Sequence, residues 1–349
     1  MPSSPSPRCV VIGYGYAGRG FHSYLVSITP GLTLHGICSR NPETRAKIVR
    51  ERGCKTYDSF EAVLADPEVD LVILATPNSD HAGQAIAALG AGKHVVTDKV
   101  MAPTLADADA MIAAAAKSGK ILSVFQNRRW DGDYQTLRKL VADGTMGELR
   151  TLELAWHGFG MWGGWRSRAE DAGGKLLDVG AHLVDQALQF FPQTIRSVYA
   201  RMHHDFPQFT AESQAHLIIT FEGGFTAIVD TSSLSAIAKP RFHAFGTRGT
   251  YIKYGRDPQE DAMNKGQIDT AVEDPNTYGR FHDGKTETTI PTLPGRWRTY
   301  YENVRDTLAG TAGAAVKVSE VRRAVAVLDA AFQSARTEKA IELNLPPAA

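Results

Sequence analysis

The stretch VVIGYGYAGRGF, from Val10 to Phe21, constrains this chain more than any other. A short apolar run, Val10-Val11-Ile12, passes directly into Gly13-Tyr14-Gly15-Tyr16-Ala17-Gly18, which has the pattern G-x-G-x-x-G. It reads as a buried parallel strand, a tight glycine turn and the start of a helix. The first glycine permits the turn, the second lets the backbone approach a pyrophosphate, and the third lets the helix pack on the strand. The phosphates would lie against the free N–H groups and positive dipole end of that helix. Glycine turns also occur as plain punctuation. One that follows an apolar strand near the start of a chain predicts a dinucleotide site using Gly13, Gly15, Tyr16, Ala17 and Gly18.

The segments that follow keep this rhythm. A helix is expected near Arg19–Thr29, a strand over Gly31–Cys38 and a helix from Pro42, where proline suits the first turn. Asp70–Ala75 is a continuous apolar run of the kind shown by a strand buried on both faces. His94–Thr97 and Ile121–Phe125 read as further strands, separated by the alanine-rich helix Ala106–Ser118. Alternating strands and helices imply a doubly wound parallel sheet, with ligands at the carboxyl ends of its strands.

Past Trp130 the texture changes. After one amphipathic helix, Tyr134–Asp143, come strands at Leu149–Trp156, Ser197–Met202, Ala215–Phe221, Thr226–Asp230 and Gly249–Lys253. Glu222-Gly223-Gly224 is a hairpin signal between two of them. The fold class is therefore α/β, an N-terminal Rossmann sheet followed by an α+β domain on a large, mostly antiparallel sheet. The expected division is 1–128 and 129–349, with a Ser/Pro-rich disordered tail over 1–8. Arg256–Lys285 reads as a polar surface excursion, and helices at Arg298–Leu308 and Val318–Lys339 follow.

A length of 349 residues suits two domains. A formal net charge of +0 gives no electrostatic footprint for nucleic acid. Cys9, Cys38 and Cys54 lack metal-ligand spacing, and His203-His204 has no ligand partners at such spacing, so no metal is expected. The opening residues lack a long apolar run and twin arginines, so the expected location is cytoplasmic, without a membrane span.

Four constellations carry candidate chemistry. Ser39-Arg40 stands at the tip of the second strand, where an NAD site usually places an acid on the ribose 2′-hydroxyl. A hydroxyl and a guanidinium there suit a 2′-phosphate, which favours NADP over the alternative, NAD; the other reading is a solvated arginine over adenine. Lys99, in Thr97-Asp98-Lys99-Val100, either orients a substrate hydroxyl and moves a proton or is a surface lysine. In the segment from Gly173 to Asp185, a helix from Leu177 would put Asp178, His182 and Asp185 on one face. A carboxylate beside an imidazole suits proton transfer, and a capping aspartate with a core histidine is the alternative. The fourth is aromatic and cationic: Asn127-Arg128-Arg129-Trp130, Trp156-His157 and Met161-Trp162-Gly163-Gly164-Trp165-Arg166. Its tryptophans either face sugar C–H groups or pack an interface.

Taken together, these residues resemble one family. The glycine motif, Ala75-Thr76-Pro77-Asn78 with His81, Gly92-Lys93-His94-Val95-Val96, Asp98-Lys99 and Asp178–His182 occur in the order found in the Gfo/Idh/MocA oxidoreductases. Phe21-His22, Gln126-Asn127-Arg128-Arg129-Trp130-Asp131 and Tyr251–Gly255 with Asp257-Pro258-Gln259-Glu260 are similar to the branch holding NADP-dependent scyllo-inositol dehydrogenase. The resemblance implies hydride exchange between a nicotinamide and a sugar or cyclitol hydroxyl carbon. It implies a cofactor set extended by Thr76, Pro77, Asn78, His81, Asp98, Lys99, Asn127 and Arg128. It also implies Lys99 and His182 as catalytic groups, with Asp178 in support, and a dimer or tetramer formed through the second domain's sheet. The expected substrate set is Lys99, Arg128, Trp162, Trp165, Arg166, Asp178 and His182. The family usually has Glu-Lys-Pro where this chain has Asp98-Lys99-Val100.

With no phosphate-binding cluster visible in the sequence, a neutral polyol or sugar is favoured. Two other activities fit the same fold: a glycosidase that retains NAD, and a regulator that binds dinucleotide or sugar without turnover. The presence of both Lys99 and His182 speaks against the regulator.

Overall fold

The computed structural model describes residues 6–160 and 162–348. Most of the expected disordered tail lies outside them, as does Met161. Arg8, counted within that tail, instead opens the first strand. Its N–H bonds the Asp70 carboxylate at 2.7 Å, and its guanidinium reaches Glu68 at 2.7 Å.

The chain forms two compact units, 1–126 with 297–318, and 127–296 with 319–349. In the first, β1 (Arg8–Ile12), β2 (Thr33–Cys38), β3 (Lys55–Tyr57), β4 (Leu71–Leu74), β5 (His94–Thr97) and β6 (Leu122–Val124) build a parallel sheet in the order β3-β2-β1-β4-β5-β6. The apolar runs read from the sequence are its central strands, and β1 and β4 are buried along their apolar lengths. Backbone bonds run one residue past the strands, from Ala75 N–H to Ile12, Asp98 N–H to Leu74 and Phe125 N–H to Thr97. The glycine turn, Thr76, Asp98 and Phe125 therefore share one carboxyl edge.

The sequence reading assigned Trp297–Val318 to the second domain, but these residues complete the first unit. Trp297, fully buried, stacks on Phe21 with ring centroids 5.5 Å apart. Tyr300 meets Phe125 edge-on and bonds Ser123 at 2.8 Å, while the Tyr301 hydroxyl lies 2.7 Å from His22 Nδ1. The helix Arg298–Leu308 thus covers apolar surface that the parallel sheet leaves open.

In the second unit β7 (Leu149–His157), β8 (Ile195–His203), β9 (Gln214–Phe221), β10 (Thr226–Ser232), β11 (Phe242–Gly246), β12 (Gly249–Lys253), β13 (Gly279–His282), β14 (Glu287–Ile290) and β15 (Ile341–Leu345) form one sheet. Its order is β14-β13-β12-β11-β7-β10-β9-β8-β15, antiparallel except where β7 and β10 run parallel. Inward residues such as Leu154, Val198, Leu217 and Val229 are fully buried. Helices Ala181–Phe190 and Val318–Thr337 belong to this unit, and Ser334 Oγ accepts the Ala200 N–H at 2.9 Å. On the other face, Tyr199 and His216 are half-buried and Ile218 is exposed.

The expected surface excursion Arg256–Lys285 is only partly that. It contains helix Gln259–Asn264 and β13, and its polar residues make buried bonds. Asp257 Oδ2 accepts the Gly132 N–H at 2.6 Å, and fully buried Lys253 pairs with Glu273 at 2.6 Å. Polarity alone could not distinguish such bonds from exposure.

Candidate active site

The three motif glycines have three different surroundings. Gly13 has φ +95°, and a Cβ there would lie 2.6 Å from the Ala75 carbonyl oxygen, so only glycine fits. A Cβ on Gly18 would lie 2.1 Å from the Gly13 oxygen, because this helix starts directly against the turn. At Gly15 a Cβ would meet nothing within 4 Å. The open side of the turn is thus at the residue whose backbone must approach a pyrophosphate, which fits a dinucleotide. The helix begins in wide turns over Ala17–His22 and continues regularly over Ser23–Ser27.

At the tip of β2, Ser39 is half-buried and Arg40 exposed, both at the carboxyl edge. Arg45 Nη1 donates to the carbonyls of Ser39 (2.8 Å) and Arg40 (2.9 Å), bracing this turn. Asn41 caps the following helix through the N–H groups of Glu43 and Thr44.

After β4, Thr76 Oγ1 donates to Gln84 at 2.8 Å, Pro77 leads into a single turn, and Asn78 is buried. His81, expected against the cofactor, is wholly buried. Its Nδ1 lies 2.8 Å from the Val100 oxygen and its Nε2 3.1 Å from the Thr76 oxygen. Burial lowers its proton affinity. The neutral ring donates from one of its two nitrogens, and packed between these carbonyls His81 links the Thr76 loop to the Lys99 turn.

That turn follows β5. The Lys99–Val100 peptide bond is cis. Asp98 Oδ1 accepts the Lys99 N–H at 2.8 Å, and Oδ2 lies 3.6 Å from Nε2 of fully buried His22. Burial would raise the Asp98 carboxyl, but His22, 3.6 Å away, and Lys99 nearby hold it at about 2. Asp98 is therefore an anion beside Lys99 at neutral pH.

In the second unit, wide turns at Leu176–Gly180 lead into the regular helix Ala181–Phe190. Asp178 lies in the wide turns, and His182 and Asp185 in the regular helix that follows. Asp178 Oδ1 accepts from Arg166 Nε at 3.1 Å. Asp185 is clamped by Arg129 through two bonds of 2.8 and 2.7 Å, and Arg129 also bonds Glu320. His182 is buried, with its ring nearly parallel to Trp156, the centroids 6.4 Å apart. Glu212 lies under the start of this segment. Its Oε1 accepts the Leu176 N–H at 2.8 Å, and burial pushes its carboxyl up to about 7.

Trp156 is the aromatic centre here, although the substrate expectation rested on Trp162 and Trp165. Trp162 packs on Phe209 and under Lys175 Nζ, and Trp165 lies under Arg166; both are half-buried. Asn127 is buried. Arg128 lies 4.4 Å from the Trp156 ring centroid and bonds Glu260 at 2.7 Å. The sequence reading missed Arg241 and Arg256, whose guanidinium carbons lie 5.4 and 5.5 Å from the same ring, and Gln186, which links Arg128 to Arg241. Only the invariant rule that strands bring distant residues together could have suggested them.

Among the described residues, His35, Asp66 and Glu68 have possible ligand atoms within 4.8 Å of one another. Asp66 already bonds Lys55 and Tyr57, and Glu68 bonds Arg8. The three cysteines are free, Cys9 and Cys38 buried.

Residues 7–126 match the model of the oxidoreductase family with an NAD-binding Rossmann fold, and 134–252 that of the GFO/IDH/MocA C-terminal domain. The chain is 33% identical to the Escherichia coli oxidoreductase YdgJ, over 95% of this chain and 97% of that one. It is 30% identical to scyllo-inositol 2-dehydrogenase (NADP(+)) IolW of Bacillus subtilis, over 96% and 95%. The solved structure of Bacillus subtilis yvaA has a TM-score of 0.91 at 28% identity, covering 98% of this chain and 100% of that one. The first unit is an NAD(P)-binding Rossmann domain, and the chain belongs to the Gfo/Idh/MocA family of oxidoreductases.

Proposed function

We propose that this protein is an NADP-preferring dehydrogenase acting on a secondary hydroxyl of a sugar or cyclitol. The observation that carries the reading is the Asp98-Lys99 turn, held at the carboxyl edge of the glycine-turn sheet by His22 and His81. The likeness to an NADP-dependent inositol dehydrogenase along nearly the whole chain supports it.

Gly13, Gly15 and the first N–H groups of the following helix would hold the pyrophosphate, and Ser39 and Arg40 the 2′-phosphate. When bound, the nicotinamide supplies the acceptor or donor of a hydride. The chain's own residues handle the hydroxyl. The Lys99 ammonium hydrogen-bonds its oxygen and stabilises developing negative charge. His182 takes the proton as oxidation proceeds and returns it in reduction. Asp178, held by Arg166, sets the charge around that imidazole. Trp162, Trp165 and Trp156 offer flat apolar faces to sugar C–H groups.

The same reading places the enzyme in the cytoplasm as a homo-oligomer, with Tyr199, His216 and Ile218 on the subunit contact. No helix among the described residues is long and apolar enough to cross a membrane. Light scattering of wild type and Ile218→Glu tests the assembly; a monomeric wild type overturns it.

The function itself is tested by following absorbance at 340 nm with inositols, aldoses and their oxidised forms, using each nicotinamide cofactor. Turnover of a polyol or sugar is expected. Cofactor binding without turnover of any of them, or of any sugar acid or sugar phosphate, in either direction, overturns the assignment.

A further inference from the structure

Three guanidinium groups surround one indole in the second unit. Arg128, Arg241 and Arg256 come from positions far apart in sequence, and each has its central carbon within 5.5 Å of the Trp156 ring centroid. Stacked guanidinium groups on an aromatic face are common, but three like charges around one ring repel unless anions offset them.

The offset is uneven. Arg128 is well matched, by Glu260 at 2.7 Å and Asp131 at 3.4 Å. Arg241 is 3% exposed, yet its nearest carboxylate, Asp133, is 3.9 Å away; Nη2 bonds neutral Gln186, and Nη1 has no hydrogen-bond partner. Arg256 is exposed and makes no ion pair among the described residues. Burial, with the charges of Arg128 and Arg256, lowers the proton affinity of Arg241. Burial and Arg256 likewise lower that of Lys175, against the pull of Asp178. Asp131 and Asp133 pull on the buried pair Arg128 and Arg241, which leaves Arg256, at the exposed edge, as the guanidinium of the three without a carboxylate partner among the described residues. All three lie against the ring that also stacks with His182.

We propose that the substrate carries an anionic group, a carboxylate or a phosphate, and that Arg256 and Arg241 hold it beside Trp156. The natural substrates are then sugar acids or sugar phosphates, not the neutral polyols that the sequence favoured. A guanidinium meets either group with paired, charge-assisted hydrogen bonds, while the indole takes an apolar sugar face. Arg256, at the rim, determines specificity for the charge. This rests on the dehydrogenase reading only in taking the Trp156–His182 side of the unit as the substrate side.

Calorimetric titration of the full-length protein with NADP⁺ present tests it. The probes are hexuronates and hexose 6-phosphates of gluco, galacto and manno configuration, each compared with its parent hexose. At least one anion should bind about tenfold or more tightly than its parent, and Arg256→Gln should reduce that ratio to about one. The identity of the preferred anion separates carboxylate from phosphate. If no anion binds more tightly than its parent, or the ratio survives Arg256→Gln, the proposal is overturned. Turnover of the same panel is scored separately. Preferential anion binding without oxidation by either cofactor refutes the dehydrogenase and leaves the anion site standing; turnover without preference for anions does the reverse.

Discussion

Nε2 of His22 lies 3.6 Å from Oδ2 of Asp98, and the opposite ring nitrogen lies 2.7 Å from the Tyr301 hydroxyl. A residue of the first helix and one of the helix Arg298–Leu308 thereby fix the carboxylate that accepts the Lys99 N–H. His22→Gln should cost about 1–3 kcal/mol at pH 7, the range for a buried group losing its partner. Asp98 has a lowered folded pKa, so its contribution is full above the ordinary 3.8 and is lost as pH falls toward about 2. The gap between variant and wild type should therefore narrow over that interval in urea unfolding. A gap independent of pH would remove Asp98 from the explanation.

Lys99 and His182 should behave as one unit in turnover. Lys99→Met and His182→Ala are each expected to lower kcat by about 10²–10⁴-fold with cofactor affinity near wild type. The double variant should be scarcely worse than the poorer single one, as for groups serving one step. Asp178→Asn should be milder and shift the pH–rate profile. Full turnover by His182→Ala would refute its role.

Arg40 should decide the cofactor. A guanidinium–phosphate bond is worth about 1.5–3 kcal/mol, so Arg40→Ala should lower the NADP/NAD ratio of kcat/KM by about tenfold or more. Arg45, which bonds the carbonyls on either side of this turn's peptide link, should affect both cofactors alike. A wild-type preference for NAD that Arg40→Ala leaves unchanged would be the contrary result.

Trp165 is half-buried and stacks under Arg166. Trp165→Ala should raise KM for the best substrate with little change in melting temperature. A loss of about 3–5 kcal/mol, typical of a truncated core aromatic, would identify it as packing.

Glu212 is 3% exposed, and its carboxyl titrates at about 7 where 4.5 is ordinary. A carboxyl whose folded pKa is raised binds more protons folded than unfolded, so stability falls as pH climbs from 4.5 through 7. Glu212→Gln keeps an acceptor for the Leu176 N–H and removes the charge. It should gain about 1–3 kcal/mol relative to wild type between pH 5 and pH 8, measured by chemical unfolding. An unchanged difference at the two pH values would show that Glu212 does not titrate in this range.

The first unit was legible because its signals are local. Val10–Gly18 specifies strand, turn and helix within nine consecutive residues, and β4 and β5 are short runs without competing periodicity. The edges of the second sheet were harder. β13, β14 and β15 carry polar residues on their exposed faces and took their strand form from pairing with distant partners. The site in that unit was legible as residue types and not as neighbours. Asp178, His182 and Asp185 share a face of an ideal helix, and the wide turns at Leu176–Gly180 in which Asp178 sits left no mark in the sequence pattern. Trp156 was visible; Arg241 and Arg256, brought to it by β11 and the turn after β12, were not.

The return of Trp297–Val318 to the first unit imposes an order on biosynthesis. Every strand of the parallel sheet has been made by Val124, whereas Trp297, Tyr300 and Tyr301 are added only after β7 through β14. Until then Phe21, His22 and Phe125 lack the aromatic residues that cover them. A nascent chain thus carries an unfinished nucleotide-binding unit while the second unit emerges, and His22 has no Tyr301 to bond. A fragment ending at Gln126 would keep that apolar socket open to water, making it a poor stand-alone cofactor binder and a ready target for chaperones.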